Sequence, residues 1–300
     1  MTDSNQKKWP ELRWADWHDT ADTLHMWTQI AGKTRLALSP LQEHWWNVTL
    51  YVSARGLSTA AMPYKGEWLE VEFDFVSHDL RFRLSTGATL STPLRPQSVA
   101  DFYTEYQRSL AALGVEVPIH PVPVELKEPI PFPEDSVHCS YDPEYAHRFW
   151  RVLSSADQVF QQFSTSFVGK VSPVHFFWGS FDFAVTRFSG RRAPPRPGAD
   201  AITREAYSHE VISAGFWPGN GGYGEAAFYC YAAPSPDGLA AEKIEPDAAV
   251  WDKALGEFVF KYSDMRSSAS PDQALLQFLQ SSYEKAATLA KWDRATLERA

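Results

Sequence analysis

Four arginines, Arg187, Arg191, Arg192 and Arg196, fall within one stretch of ten residues that contains no acidic residue. A guanidinium presents a planar fork of N–H donors that matches carboxylate and phosphate geometry, so the cluster is suited to holding an anion. The bland alternative is pairing with the chain's own carboxylates, Glu205 and Glu210 included, in the weak ion pairs common on surfaces. Around the arginines stand His175, Trp178, Asp182, Tyr207, His209, Glu210, Trp217, Asn220, Tyr229 and Tyr231. A carboxylate beside imidazoles and phenols can move protons, or can fix a ligand through hydrogen bonds. The leading expectation is a small-molecule site in the second half of the chain. In it Arg187, Arg191 and Arg192 hold an anionic group, Trp178 and Trp217 supply stacking surface, and His175, Asn220 and Tyr231 add polar contacts. Asp182, His209 and Glu210 orient polar groups there; in the alternative, an enzyme, His209 or Glu210 is the general base. A third reading is an interaction protein with exposed aromatics. Strands at 208–216 and 225–232, pairing about the glycines between them, would set Glu210 opposite Tyr231.

Other apparent motifs fail on physical grounds. Ala31-Gly32-Lys33-Thr34 resembles the tail of a phosphate loop, but Trp27 stands where the first glycine is needed, and the helical segment commits its amides elsewhere. Gly219-Asn-Gly-Gly-Tyr-Gly224 spells a dinucleotide fingerprint without the helix that must follow it, because residues 226–232 read as a strand. A glycine loop closing a hairpin is the better account. No Cys-x-x-Cys or His-Glu-x-x-His pattern occurs, and adjacent His209 and Glu210 on a strand point to opposite faces. A site from His175, His209 and Asp182 is weighed below ordinary hydrogen-bonded histidines, so no metal or cofactor is expected. Ser180 lacks the second glycine of a nucleophile elbow, and Cys230 reads as an inert strand residue among aromatics.

The elements that must position these groups follow from periodicity. Trp17, Ala21, Leu24, Trp27 and Ile30 give residues 14–31 one apolar helical face. Residues 47–55 alternate as a strand, and 68–76 with 79–85 alternate as a hairpin. Centring its turn on Ser77-His78 sets Asp74 opposite Arg81, Glu72 opposite Arg83 and Phe73 opposite Phe82. Ser98 caps a helix to about Leu113, stopped by Gly114. Seven prolines between 118 and 143 forbid a regular ladder or helix, so 118–142 reads as an extended connector between an N-terminal half, 1–117, and a C-terminal half, 143–300. Asp142-Pro143 then opens a helix whose stripe Phe149, Leu153, Ala156, Phe160, Phe163 and Phe167 is core rather than a cofactor box. Strands follow over 174–188 with a bend at Gly179, at 207–216, 225–232 and 257–262, with a short helix near 248–254 and a closing helix capped by Ser270. The fold class is α+β, with mainly antiparallel sheet and packed helices. His44-Trp-Trp-Asn-Val-Thr-Leu-Tyr-Val-Ser-Ala-Arg55 parallels the run from His175 to Arg187, which raises an internal duplication into two helix-strands-helix halves.

Composition limits the partners. The 300 residues carry 28 basic against 37 acidic side chains, a net charge of −9 that repels a phosphate backbone and argues against nucleic acid. Two cysteines cannot build a disulfide framework, and no signal peptide or run of about 20 apolar residues occurs, so a cytoplasmic protein without a membrane span is expected. The runs His175-Phe-Phe-Trp-Gly-Ser-Phe-Asp-Phe-Ala-Val-Thr-Arg-Phe-Ser-Gly-Arg-Arg-Ala-Pro and Tyr207-Ser-His-Glu-Val-Ile-Ser-Ala-Gly-Phe-Trp-Pro-Gly resemble a bacterial family of conserved proteins with a domain of unknown function. The resemblance spans nearly the whole chain and implies a cytoplasmic bacterial protein outside the familiar enzyme classes. It carries no activity or catalytic residue.

Overall fold

A computed structural model of the chain describes residues 8–123 and 125–299. Helix α1 (Trp14–Leu38) is longer than its apolar period indicates, and every residue from Thr23 to Arg35 is buried. One inward face was expected; burial on all sides is found. Several polar residues tolerate this because they are satisfied locally. Thr23 donates to the Asp19 carbonyl at 2.9 Å and Thr34 to that of Ile30 at 3.1 Å, while Tyr106 donates to the Thr34 hydroxyl at 2.8 Å. Gly32, the glycine of the false phosphate loop, has a packing role: a Cβ there would overlap the Trp178 indole.

The first sheet comprises β1 (Tyr51–Val52), β2 (Gly56–Ser58), β3 (Met62–Tyr64), β4 (Glu67–Asp74), β5 (Asp79–Leu84) and β6 (Thr89–Pro93). They run in the order β1-β2-β4-β5-β6, with β3 also paired to β4. The continuous strand expected over 47–55 is absent. Glu43–Val48 instead forms a 3-10 turn in which His44 and Trp45 take left-handed φ of 56° and 63°. The β4–β5 hairpin keeps its faces but shifts two residues from the expected register, so Glu72 faces Arg81, Glu70 faces Arg83 and Phe73 faces Leu80. The cause is the Asp74 carboxylate, which accepts the backbone N–H groups of Val76 and Ser77 at 2.9 Å each and ends the strand there. A shift of two residues preserves the pleat, and Arg81–Asp74 (2.9 Å) and Arg83–Glu72 (2.6 Å) still pair, now diagonally.

Helix α2 (Val99–Ala112) is capped by the Ser98 hydroxyl, which accepts the Asp101 N–H at 3.0 Å. It presses Phe102 onto Trp27, the rings stacked with centroids 4.5 Å apart. From 118 to 142 the described residues hold only the short 3-10 turn Phe132–Glu134. Asp142 caps α3 (Pro143–Thr165) by accepting the N–H groups of Glu144 and Tyr145, and the aromatic stripe of α3 is buried.

The second sheet contains β7 (His175–Phe177), β8 (Asp182–Arg192), β9 (His209–Trp217), β10 (Ala227–Ala233), β11 (Val250–Asp252) and β12 (Glu257–Lys261), in the order β11-β12-β10-β9-β8-β7 and antiparallel throughout. Residues 250–252, expected as helix, form a strand because Asp252 ties a tight turn back to β12 through the N–H groups of Ala254 and Leu255. A short helix, α4 (Ala201–Ala206), follows the Arg-Pro loop, and α5 (Tyr262–Ser267), α6 (Pro271–Leu289) and α7 (Arg294–Leu297) close the chain. The Ser270 hydroxyl makes no capping bond to α6.

One face of this sheet is apolar and meets α3 and α6, with Phe183 stacked on Phe160 and Phe260 against Phe278. The other carries Asp182, Thr186, Ser213, Tyr229, Tyr231 and Glu257. Leu50 and Phe176 exchange backbone hydrogen bonds between the sheets, and one core cluster extends from Trp9 to Trp292 across both halves of the chain. Among the described residues no helix is long and apolar enough to cross a membrane.

Candidate functional site

The polar face of the second sheet is concave. It holds a cleft of two adjoining lobes, about 360 Å³ and 230 Å³, that share Ser180, Asp182, Tyr207, Tyr229 and Tyr231. The larger lobe adds Trp217, Asn220 and Glu257; the smaller adds Thr186, Ser213 and, from the first half of the chain, His44, Trp45 and Trp46. Strand alternation explains the assembly. Asp182, Trp217 and Ala227 lie in one cross-strand row, Ala184, Gly215 and Tyr229 in the next, and Thr186, Ser213 and Tyr231 in a third, all on one face.

Gly215 has a specific purpose in this arrangement. A Cβ there would overlap both the Tyr229 hydroxyl and the Phe183 carbonyl, so its absence lets the Tyr229 ring lie across β9 and donate its O–H to Asp182 on β8. Ser180 donates to the other oxygen of that carboxylate. Tyr229 and Tyr231 stack with centroids 6.0 Å apart, Trp217 lies 5.3 Å from Tyr229, and Tyr231 shares a 2.9 Å hydrogen bond with Tyr207. Asn220 donates to the Ser180 carbonyl at 2.9 Å, which leaves its own Oδ1 buried without a partner.

The electrostatics follow from burial. Withdrawal from water raises the Asp182 carboxyl above the usual range despite the two hydroxyls that stabilise its charge. Burial, and then the negative charges of Asp182 and Asp252, push Glu257 up to about 7. Burial and then Asp182 hold the Tyr229 phenol well above its ordinary value; burial and then Tyr207 do the same for Tyr231. Neither Asp182 nor Glu257 forms an ion pair among the described residues, and no lysine or arginine lines either lobe. Arg196 and Lys170 do lie close by, but packed over wall rings: Arg196 is 4.1 Å from the Tyr207 centroid and Lys170 is 5.0 Å from that of Trp46.

Of the residues singled out by sequence, Asp182, Tyr207, Trp217, Asn220, Tyr229 and Tyr231 meet in this cleft. The others do not converge on it. Arg187 is fully buried on the apolar face, its guanidinium 3.4 Å from the Phe163 centroid and 4.2 Å from that of Tyr283, donating to the Phe163 carbonyl and to the Ser166 hydroxyl. His175 is buried at the junction of the sheets beside the Thr49 hydroxyl (3.2 Å), and burial with nearby Arg35 lowers it to about 3, so it is neutral. Trp178 is buried there too, donating to the Val48 carbonyl at 2.7 Å. Arg191 pairs with Glu210 at 2.6 Å and caps α6 through the Lys291 and Ala290 carbonyls, while Arg192 is exposed opposite His209. The His209 ring stands edge-on to His44 at 5.7 Å.

The expected pairing of Glu210 with Tyr231 is corrected by the β9–β10 register. Tyr231 faces Ser213, which puts Glu210 on the opposite side of the pleat. The hairpin loop is longer than expected, since β10 begins only at Ala227. His175, His209 and Asp182 stay apart, and among the described residues no three His, Cys, Asp or Glu side chains group as metal ligands.

Sequence reasoning missed Glu257, His44, Trp45 and Trp46 as members of the site. Glu257 looks like any exposed carboxylate at a strand start. The double tryptophan was visible, but its entry into the cleft depends on two consecutive left-handed residues, a strained backbone that nothing in the local pattern signals.

Fold and site together define an α+β protein in which one of two antiparallel sheets presents an aromatic, acidic cleft. The chain belongs to the family of unknown function DUF5996, whose profile matches residues 9–299. No curated protein and no solved structure matches it.

Proposed function

We propose that this protein binds a small molecule carrying a cationic group in the aromatic cleft of the second sheet. The observation that carries the reading is a pair of carboxyl groups, Asp182 and Glu257, that line the cleft with tyrosine and tryptophan rings and, among the described residues, no lysine or arginine. A buried carboxylate is costly unless paired, and π faces attract cations, so an ammonium group satisfies both features together. The sequence-level expectation of an anionic ligand gains no support from the cleft, because its arginines serve elsewhere: Arg187 in the core and Arg191 in an ion pair. What persists from that expectation is an aromatic-lined pocket in the C-terminal half built partly from Asp182, Trp217, Asn220 and Tyr231.

A thermal-shift panel of alkylammonium ions, phosphates, carboxylates and neutral sugars tests the reading. Amines should raise the melting temperature, and Asp182→Asn should abolish that rise. Stabilisation by an anion or sugar and by no amine would reject it.

A further inference from the structure

The cleft has two acidic stations rather than one, and this bears on ligand shape. Asp182 stands at the start of β8 and Glu257 at the start of β12, with β9 and β10 between them. Asp182 lies in the row of Trp217 and Ala227 and Glu257 two rows along, beside Tyr231, so three inter-strand steps of about 4.8 Å and four residues of strand at about 3.4 Å separate their backbones by roughly 20 Å. One compact ammonium cannot contact both carboxyls. The floor between them is aromatic, made of Tyr229, Tyr231 and Trp217. Beside Asp182 lies the Asn220 Oδ1, a buried acceptor without a donor, suited to an N–H group. At the other station Glu257 accepts no hydrogen bond from the described residues, whereas its neighbour Asp252 is consumed by its own turn.

From this placement we infer that the ligand is a linear aliphatic diamine or polyamine, one ammonium at Asp182 and Asn220, another at Glu257, and its methylene chain lying over the Tyr229, Tyr231 and Trp217 rings. The inference rests on the cation-binding reading above and specifies its substrate class. Each part of the ligand meets a matching surface: methylenes bury against ring faces, and each charged end gains a carboxylate that otherwise lacks a counter-ion. The acidic overall charge favours a polycation over competing anions in the same way.

Because Glu257 is held near neutrality by burial and by its acidic neighbours, a second ammonium placed beside it draws the carboxyl back to its ionised form. Diamine binding at pH 7 therefore releases part of a proton, and more of it than a monoamine seated at Asp182 alone.

Isothermal titration of the whole chain with 1,4-diaminobutane, 1,6-diaminohexane and spermidine, set against n-butylamine and 1,6-hexanediol, decides the matter. At least one of the three polyvalent amines should bind about tenfold or more tighter than n-butylamine, with hexanediol weakest. Glu257→Gln should reduce that amine to the level n-butylamine shows in the same variant and diminish the buffer-dependent heat of proton release. If n-butylamine binds as tightly as every polyvalent amine, or if Glu257→Gln leaves all affinities unaltered, the two-station inference is overturned and single-cation binding stands. If no amine binds the native protein, both readings fall. The monoamine and diol comparisons use only the native chain, so they still discriminate even if a variant folds poorly.

Discussion

The two sheets each carry carboxylates on a polar face, and they treat them in opposite ways. On the first sheet Asp74 is fully buried yet meets Arg55 and Arg81, and Glu72 meets Arg83 and the Ser53 hydroxyl. Burial pushes the Asp74 carboxyl up, but hydrogen bonds from Arg55 and from the Ser77 and Val76 amides overcome it and hold it at about 2. On the second sheet burial shifts both carboxyls upward; among the described residues Asp182 has only the Tyr229 phenol and the Ser180 hydroxyl, and Glu257 faces the negative charges of Asp182 and Asp252. Identical side-chain chemistry thus makes a closed structural network in one region and an unsatisfied cleft in the other. What distinguishes them is the supply of arginine: it surrounds the carboxylates of the first sheet, and in the second half it is withdrawn to the core and the rim.

The largest effect should come from breaking the closed network. Asp74→Ala frees two half-exposed arginines and strands two backbone amides, and chemical denaturation should show a loss of about 2–3 kcal/mol with amine affinity per folded molecule unchanged. In the native protein the stabilisation from Asp74 is present above its unfolded value near 3.8 and is lost as pH falls from there through about 2. An acid titration followed by circular dichroism should show that loss, and the Asp74→Ala chain should lack it.

A smaller cost falls on the cleft itself. Gly215→Ala introduces a methyl group where the Tyr229 hydroxyl and the Phe183 carbonyl lie, so stability should drop by about 1–3 kcal/mol and amine binding should be lost. Retained affinity in this variant would show that the Tyr229–Asp182 contact does not shape the site.

Glu257→Gln moves stability the other way. A carboxyl raised to about 7 in the folded chain, against an ordinary value of 4.5, penalises folding as pH rises through that interval, and the penalty is complete above pH 7. The variant should match the native protein near pH 4 and exceed it at pH 8 by about 1–2 kcal/mol after allowance for solvent screening. Equal melting curves at pH 8 would show that Glu257 is not strained by its neighbours.

Least of all, Arg191→Ala removes an exposed pair with Glu210 and should change stability by about 1 kcal/mol or less, with no change in amine affinity. A collapse of binding in that variant would return the arginine loop to the site.

Much of the framework was legible locally. The Ser98 and Asp142 caps, the alternation of β4, β5 and β8 and the aromatic stripe of α3 depend on neighbours a few residues away, and all are found. Where the reading failed, a side-chain-to-backbone turn or an unusual backbone conformation intervened. Asp74 ended its strand early and moved the register by two; Asp252 folded a turn that made a strand of an expected helix; and left-handed His44 and Trp45 broke a regular alternation.

The site was half legible for the same reason. Composition and spacing marked the second half as rich in polar aromatics, and Asp182, Trp217, Asn220 and Tyr231 could be nominated because they lie on or beside strands that alternation made visible. Whether an arginine serves a ligand, a core or a carboxylate is decided by what the fold sets beside it. Arg187 reads like its neighbours in sequence and lies among Phe163 and Tyr283 in space. The chain by itself determined an acidic α+β protein with its strands and helices nearly in place. Only tertiary structure decided the sign of the cleft, because net potential at a point is a sum over groups from β8, β10, β12 and the His44 turn, residues as distant in the chain as His44 and Glu257 that no local pattern relates.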